Sequence, residues 1–245
     1  MRITLVALIL SPIVLWSSIS HADDGQTSLR MDMVEQVIAN IVRTQHETRV
    51  STLDPAIVAA MQDIPRHEFV PEELRPFAYF DIPLTVGYEQ NTSQPYLIAL
   101  MTQLAGVDKN DRVFETGTGS GYHAAILSRL AARVISVEVV KPLADSAARR
   151  LKKMGYTNIE VRHADGFYGW KERGPFDAMI IKEAVPQIPA TLINQLKPGG
   201  RLIAPVGFPD RGQMLTVIEK HDDGTIKSTP LIPVKFSPLQ GGERI

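Results

Sequence analysis

Apolar residues along this chain follow two periods, and the change between them divides it. Met33, Val34, Val37, Ile38, Ile41 and Val42 recur at the spacing of one helix face, and Pro55 to Met61 gives a second, shorter helix, since side chains three and four residues apart stack on the same side of a helix. From about residue 109 short apolar runs take over. Arg112-Val113-Phe114, Val134-Ile135-Ser136-Val137, Ile159-Glu160-Val161-Arg162 and Phe176 to Ile181 have the length of strands. Leu196-Lys197-Pro198-Gly199-Gly200 then carries a helix end and a turn into a fifth, Arg201-Leu202-Ile203. After the first run, Ala124, Ala125, Ile126, Leu127, Leu130 and Ala131 place a helix with an apolar stripe. Strands that alternate with helices predict an α/β fold: a Rossmann-like, doubly wound, mostly parallel sheet. Two last runs, Gln213 to Glu219 and Leu231 to Phe236, flank the turn signal Asp222-Asp223-Gly224, so an antiparallel pair is expected to finish the sheet.

Where the first strand meets its helix the chain reads Glu115-Thr116-Gly117-Thr118-Gly119-Ser120-Gly121-Tyr122. Glycines at alternate positions let backbone approach a ligand closely. A dinucleotide fingerprint reads G-x-G-x-x-G and seats a pyrophosphate; here the spacing is G-x-G-x-G, and Glu115 would repel phosphate while attracting an ammonium or sulfonium. That points to S-adenosylmethionine, with S-adenosylhomocysteine as its product, rather than NAD. Glu138 ends the second strand about twenty residues past the first glycine, the separation at which an acid reaches both ribose hydroxyls. Asp165 and Gly166 end the third, where a carboxylate can meet an adenine amino group. Alone, the turn would pass as a tight connection and Glu138 as a solvated strand end. Together they lie in order at the carboxyl ends of successive strands, where open α/β sheets bind ligands.

The chain begins differently. Arg2 is the only charged residue before the apolar stretch Ile3 to Trp16, and Ser17-Ser18-Ile19-Ser20-His21-Ala22 precedes Asp23-Asp24. A basic start, an apolar middle and small residues at Ser20 and Ala22 have the order of a secretory signal peptide. Residues 1–22 are therefore expected to be removed, leaving a single exported, periplasmic domain of residues 23–245. An uncleaved anchor would place that domain on the same side of a membrane. With 26 basic and 27 acidic side chains, a formal charge of −1 and no basic block, nothing favours a nucleic-acid partner. The absence of cysteine rules out a disulfide, a thiol nucleophile and a thiolate metal site, and the six histidines include no pair at helical spacing, so no metal is expected.

Segments outside the glycine turn carry a resemblance. Arg66-His67-Glu68-Phe69-Val70-Pro71, Ala78-Tyr79-Phe80-Asp81-Ile82-Pro83-Leu84 and Val86-Gly87-Tyr88-Glu89-Gln90-Asn91-Thr92-Ser93-Gln94-Pro95 resemble segments of the protein-L-isoaspartate (D-aspartate) O-methyltransferases. These are class I S-adenosylmethionine-dependent enzymes, in which the corresponding motifs end in Phe-Val-Pro, read Ala-Tyr-x-Asp-x-Pro-Leu, and read Ile-Gly-x-Gly-Gln-Thr-Ile-Ser-x-Pro. Val234-Lys235-Phe236-Ser237-Pro238-Leu239 is similar to the family's closing Phe-Val-Pro-Leu. The resemblance runs from about Met33 to Leu239. It implies methyl transfer to the carboxylate of L-isoaspartyl or D-aspartyl residues in damaged proteins or peptides. It also implies a helical part and lid over about 23–108, and a cofactor-binding sheet over 109–245. Ser93 falls on the active-site serine, which would orient an acceptor or cofactor carboxylate, and Gln90, Asn91 and Thr92 would shape the lid. Glu115, Gly117, Thr118, Gly119 and Gly121 would take the methionine side of the cofactor, Glu138 and Val139 the ribose, and Asp165 and Gly166 the adenine. Ser93 is also placed to N-cap the helix that starts at Pro95.

Four residues depart from the family pattern. Glu89 and Asn91 stand where it has glycine and threonine, and Lys182-Glu183 interrupts a segment that is usually small and neutral, Thr-Ala-Ala-Ala-Pro or Gly-Ala-Ala-Ala-Pro. One expectation is an ion pair between Lys182 and Glu183 at a pocket rim. Another is that Glu89, Lys182 and Glu183 line an altered acceptor site, which would make the chain a methyltransferase of the same fold with a different acceptor. A non-catalytic homologue that keeps the cofactor pocket is a third reading. An NAD-dependent oxidoreductase is opposed by Glu115 and the glycine spacing.

Overall fold

The computed structural model describes residues 26–241; the expected signal peptide and its cleavage point lie outside them. The N-terminal part holds α1 (Thr27–Arg43), α2 (Gln45–Thr48), α3 (Pro55–Asp63), the hairpin β1 (Leu84–Gly87) and β2 (Gln90–Thr92), and α4 (Pro95–Ala105). The sheet follows with β3 (Arg112–Thr116), α5 (Tyr122–Leu130), β4 (Arg133–Glu138), α6 (Lys141–Lys153), β5 (Ile159–His163), β6 (Phe176–Ile180), α7 (Ala190–Gln195), β7 (Leu196–Phe208), β8 (Gly212–Lys220) and β9 (Ile226–Val234).

Seven strands lie in the order β5-β4-β3-β6-β7-β8-β9. The first five are parallel, and β8 and β9 add to β7 as antiparallel strands. Because side chains alternate across a strand, Val113, Val134, Ala178 and Ile180 pack with the N-terminal helices and α5, while Phe114, Ile135, Met179 and Ile181 pack on the other face with α7 residue Leu192. Both faces are covered, as a parallel sheet requires. In α1, Met33, Val34, Val37 and Ile41 are buried, but Ile38 and Val42 are exposed, so the buried stripe is narrower than its apolar spacing. In α5 every residue except Arg129 is buried rather than one stripe, because α3 packs against it as well as β4 and β5.

Two local expectations change. Pro198-Gly199-Gly200 does not precede β7. Leu196 already pairs with Phe176, the chain bulges through Gly199 at φ 77, and pairing resumes at Arg201 with Ala178. The last strand starts earlier than expected, at Ile226, and stops at Val234, which leaves Lys235 to Leu239 to pass Gln213 of β8 and reach Ala184 beyond the end of β6.

The N-terminal segments with family character have a common task. Arg66 is fully buried, and its guanidinium donates to the carbonyls of Ala78, Ile82 and Ser93. Asp81 accepts the Tyr96 N–H at 2.8 Å and the side-chain amides of Asn40 and Gln94 at 2.6 and 3.0 Å. The N-cap position of α4 is Gln94, which makes no side-chain cap. Asp81 satisfies the helix end from a distance, so Ser93 does not cap it, and Arg66 ties the Ser93 backbone to the same scaffold.

Candidate active site

Strand β3 has β4 on one side and β6 on the other, so the connections leaving it diverge and open a crevice beyond the strand ends. A cavity of about 480 Å³ occupies that crevice, within the range of small-molecule sites. Its floor is the glycine turn. Gly117, Gly119 and Gly121 all take positive φ, 61°, 55° and 92°, which only glycine adopts without strain. Their surroundings differ. A Cβ on Gly119 would meet nothing nearer than the Gly117 carbonyl at 3.8 Å, so this position opens onto the cavity. A Cβ on Gly121 would lie 3.1 Å from Leu151 of α6; this glycine serves helix packing and is not on the cavity wall.

Of the residues expected from sequence, Gln90, Asn91, Thr92, Ser93, Gly117, Thr118, Gly119, Glu138, Val139 and Gly166 line the cavity, whereas Glu115, Gly121 and Asp165 do not. Glu138 is only 4% exposed. Its two oxygens accept the backbone N–H groups of Gly119 at 2.8 Å and Val140 at 2.9 Å, which fixes the carboxylate and leaves each oxygen a second lone pair. Asp165 caps the short turn Gly166–Tyr168 by accepting the Phe167 N–H at 2.9 Å. That turn carries Gly166 to the wall, where a Cβ would lie 2.6 Å from the Thr116 methyl. The segment after β9 closes the opposite side: the Ala184 N–H donates to the Ser237 carbonyl and the Leu239 N–H to the Ala184 carbonyl, and Gln213 holds Phe236 at both its carbonyl and its N–H.

Glu115 stands behind the floor. It is fully buried, accepts from Ser136 Oγ at 2.8 Å and from Lys182 Nζ at 2.8 Å, and Ser136 in turn accepts from Thr118. Its charge is therefore spent inside the protein. The expected pair between Lys182 and Glu183 is replaced by this one, because Lys182 lies on the same sheet face as Ile180 and Glu115. Glu183 turns instead to the cavity. Thr116 Oγ1 donates to its Oε2, and its Oε1 lies so close over Gly117 that a Cβ there would overlap it. Enclosure in the cavity raises the Glu183 carboxyl from 4.5 to about 7; the Thr116 bond and Lys182 pull the other way, and Glu138 and Glu115 push it further up. Glu89 stands off the wall, exposed at the tip of the β1–β2 hairpin. Tyr88 and Glu89 both have positive φ there, 54° and 58°, a hairpin geometry that favours glycine.

Sequence reasoning passed over Tyr122 and His123, which lie at the start of α5. His123 Nε2 is 2.9 Å from Thr102 Oγ1, and Thr102 donates to the Ile98 carbonyl at 2.7 Å. A hydroxyl has one proton, so His123 Nε2 must be the donor and Nδ1 an unprotonated acceptor. Burial, with help from Lys182, holds the ring neutral far below its usual titration range. His123 Nδ1, Tyr122 OH and Ser120 Oγ are buried without hydrogen-bond partners, and all three residues line the cavity. A polar nucleoside carrying an amino-acid tail fits this arrangement. The Gly119 opening admits it, the braced Glu138 carboxylate accepts from a diol, and the unpartnered polar atoms have a reason to be there.

The parallel sheet, glycine turn and strand-end cavity define a Rossmann-like methyltransferase fold. Over residues 36–244 the chain matches the family model of protein-L-isoaspartate(D-aspartate) O-methyltransferase, and it belongs to that family. It is 44% identical over 238 residues to protein-L-isoaspartate O-methyltransferase 2 of Syntrophobacter fumaroxidans, covering 97% of this chain and 96% of that one. Identity is 46% over 209 residues to protein-L-isoaspartate O-methyltransferase 2 of a Polaromonas species, covering 85% and 99%. A solved protein-L-isoaspartate O-methyltransferase structure, 30% identical, superposes with a TM-score of 0.72 over 85% of this chain and 66% of that one.

Proposed function

We propose that this chain transfers the methyl group of S-adenosylmethionine to the carboxylate of L-isoaspartyl or D-aspartyl residues in damaged proteins and peptides, releasing S-adenosylhomocysteine. Family membership supports the acceptor. The observation that carries the cofactor is the Glu138 carboxylate, braced by the Gly119 N–H on the wall of a nucleoside-sized cavity.

The bound cofactor supplies a sulfonium methyl already activated for in-line displacement. An acceptor carboxylate is ionised near neutrality, so the chain's residues need neither a strong base nor a metal; they align the reactants and exclude water. Glu138 and Val139 hold the ribose, and Gly119 admits the backbone-side edge of the ligand. Gly166 borders the adenine, on a turn that Asp165 fixes. Ser93, held from behind by Arg66, orients the acceptor or cofactor carboxylate, and Gln90, Asn91 and Thr92 form the hairpin side of a lid. No nucleic-acid partner belongs to this reading. Residues 1–22 act as a cleaved export signal that delivers the domain to the periplasm, a role their basic start, apolar run and small residues support.

Incubation of residues 23–245 with methyl-labelled S-adenosylmethionine and an isoaspartyl peptide tests the reaction. The expected product is a carboxyl methyl ester that mild base releases as labelled methanol. Label that resists base, or none at all, would overturn the proposal.

A further inference from the structure

The glycine turn is flanked by two carboxylates on opposite sides. Glu138 ends β4 and Glu183 follows β6, and β4 and β6 are the two neighbours of β3. A ligand whose ribose is held at the β4 side must send its other end across the turn toward β6. There Glu183 Oε1 lies over Gly117 and makes no hydrogen bond with the described residues, while Oε2 accepts from Thr116. The acid expected to meet a cation, Glu115, is sealed behind the floor by Lys182, whose side chain is 8% exposed.

We infer that Glu183 holds the cationic amino group of the cofactor's methionyl end, on the β6 side of the turn, opposite the ribose-holding Glu138. This rests on the cofactor reading above. An ammonium offers N–H donors that an open carboxylate oxygen accepts, whereas a sulfonium offers none. The charged and titratable groups around Glu183 leave the task to it. Lys182 beside it is neutralised by Glu115 on β3, Glu138 on β4 is braced by backbone, and His123 on α5 is neutral. Lys235 of the closing segment is exposed. The carboxyl's raised titration then becomes useful: it is part-protonated in the empty cavity and ionises as the ammonium arrives, releasing a proton.

Calorimetric titrations of the mature domain test this with three probes: S-adenosylmethionine, S-adenosylhomocysteine, and 5′-methylthioadenosine, which keeps the nucleoside and sulfur but lacks the amino acid. For the wild type, the two amino-acid ligands should bind about tenfold more weakly at pH 6 than at pH 8, with proton release seen by changing the buffer's ionisation heat. Glu183→Gln should weaken both by about tenfold or more at pH 8 and flatten the profile. Its binding of 5′-methylthioadenosine should be unchanged and pH-independent, which also shows that the variant is folded. A flat wild-type profile, an unweakened variant, or a loss confined to S-adenosylmethionine would overturn the assignment. Failure of wild type to bind any of the three would instead refute the cofactor reading itself.

Discussion

Lys182 Nζ and Glu115 Oε2 lie 2.8 Å apart beneath the glycine turn, with side chains 8% and 0% exposed. A buried pair of this kind adds little net stability over apolar residues of the same shape, but removing one partner leaves the other charge stranded. Lys182→Met should therefore destabilise the domain by about 3–5 kcal/mol, and Glu115→Gln in that background should recover a substantial part. Denaturant unfolding of the two single variants and the double variant measures the coupling. Additive losses, or a Lys182→Met loss under about 1 kcal/mol, would mean that the pair carries no structural weight.

Two groups that line the same cavity pull stability in opposite directions with pH. The folded state lowers His123 well below 6.5, so as pH falls through about 6.5 the unfolded chain takes that proton first. The His123 contribution is full above that value and is lost below it, at up to about 1.4 kcal/mol per pH unit. Glu183 is raised from 4.5 to about 7, so the unfolded chain gives up its proton first as pH rises. Its contribution is full below 4.5 and is lost up to about 7, with the same limiting slope and opposite sign. In the ligand-free protein, Glu183→Gln should gain stability relative to wild type as pH rises from 4.5 to 7, and His123→Gln should gain as pH falls below 6.5. Urea melts across pH 4.5 to 8 would show the two difference curves crossing; parallel curves would contradict both assignments.

The glycines of the turn should separate by phenotype. Gly119→Ala puts a methyl group into the cavity at φ 55 and should weaken cofactor binding at least about tenfold, while costing about 1 kcal/mol of stability from the left-handed backbone. Gly121→Ala meets Leu151 and should cost about 2 kcal/mol or more, with cofactor affinity within about threefold of wild type once folded. Calorimetry beside thermal unfolding resolves the two, and equal effects on binding would return Gly121 to the cavity wall.

Local pattern carried much of this fold. The strands after residue 109, the Gly-rich turn and the order of Glu138 and Gly166 follow from short apolar runs and short-range turn chemistry, which a single chain displays directly. What it does not display is which side of a strand end a neighbour turns to. Lys182 and Glu183 are adjacent and opposite in charge, which suggests a pair. At the end of β6, however, they leave in different directions, one to Glu115 and one to Gly117. Ser93 reads as a helix cap until Asp81, fifteen residues before Tyr96, takes the amide it would have bound. Gly117, Gly119 and Gly121 share a spacing, but only packing against α6 assigns Gly121 its separate task.

Two peptides of identical composition, one carrying an isoaspartyl linkage and the other the normal aspartyl linkage, give the most direct test of carboxylate methyl transfer by this chain. With labelled S-adenosylmethionine and residues 23–245, base-labile label should accumulate on the isoaspartyl peptide at least about a hundredfold faster, a discrimination of about 2.7 kcal/mol in the transition state. With cofactor below saturation it should fall at least about tenfold with Gly119→Ala. Equal transfer to both peptides, or transfer to neither while S-adenosylmethionine still binds, would contradict the account.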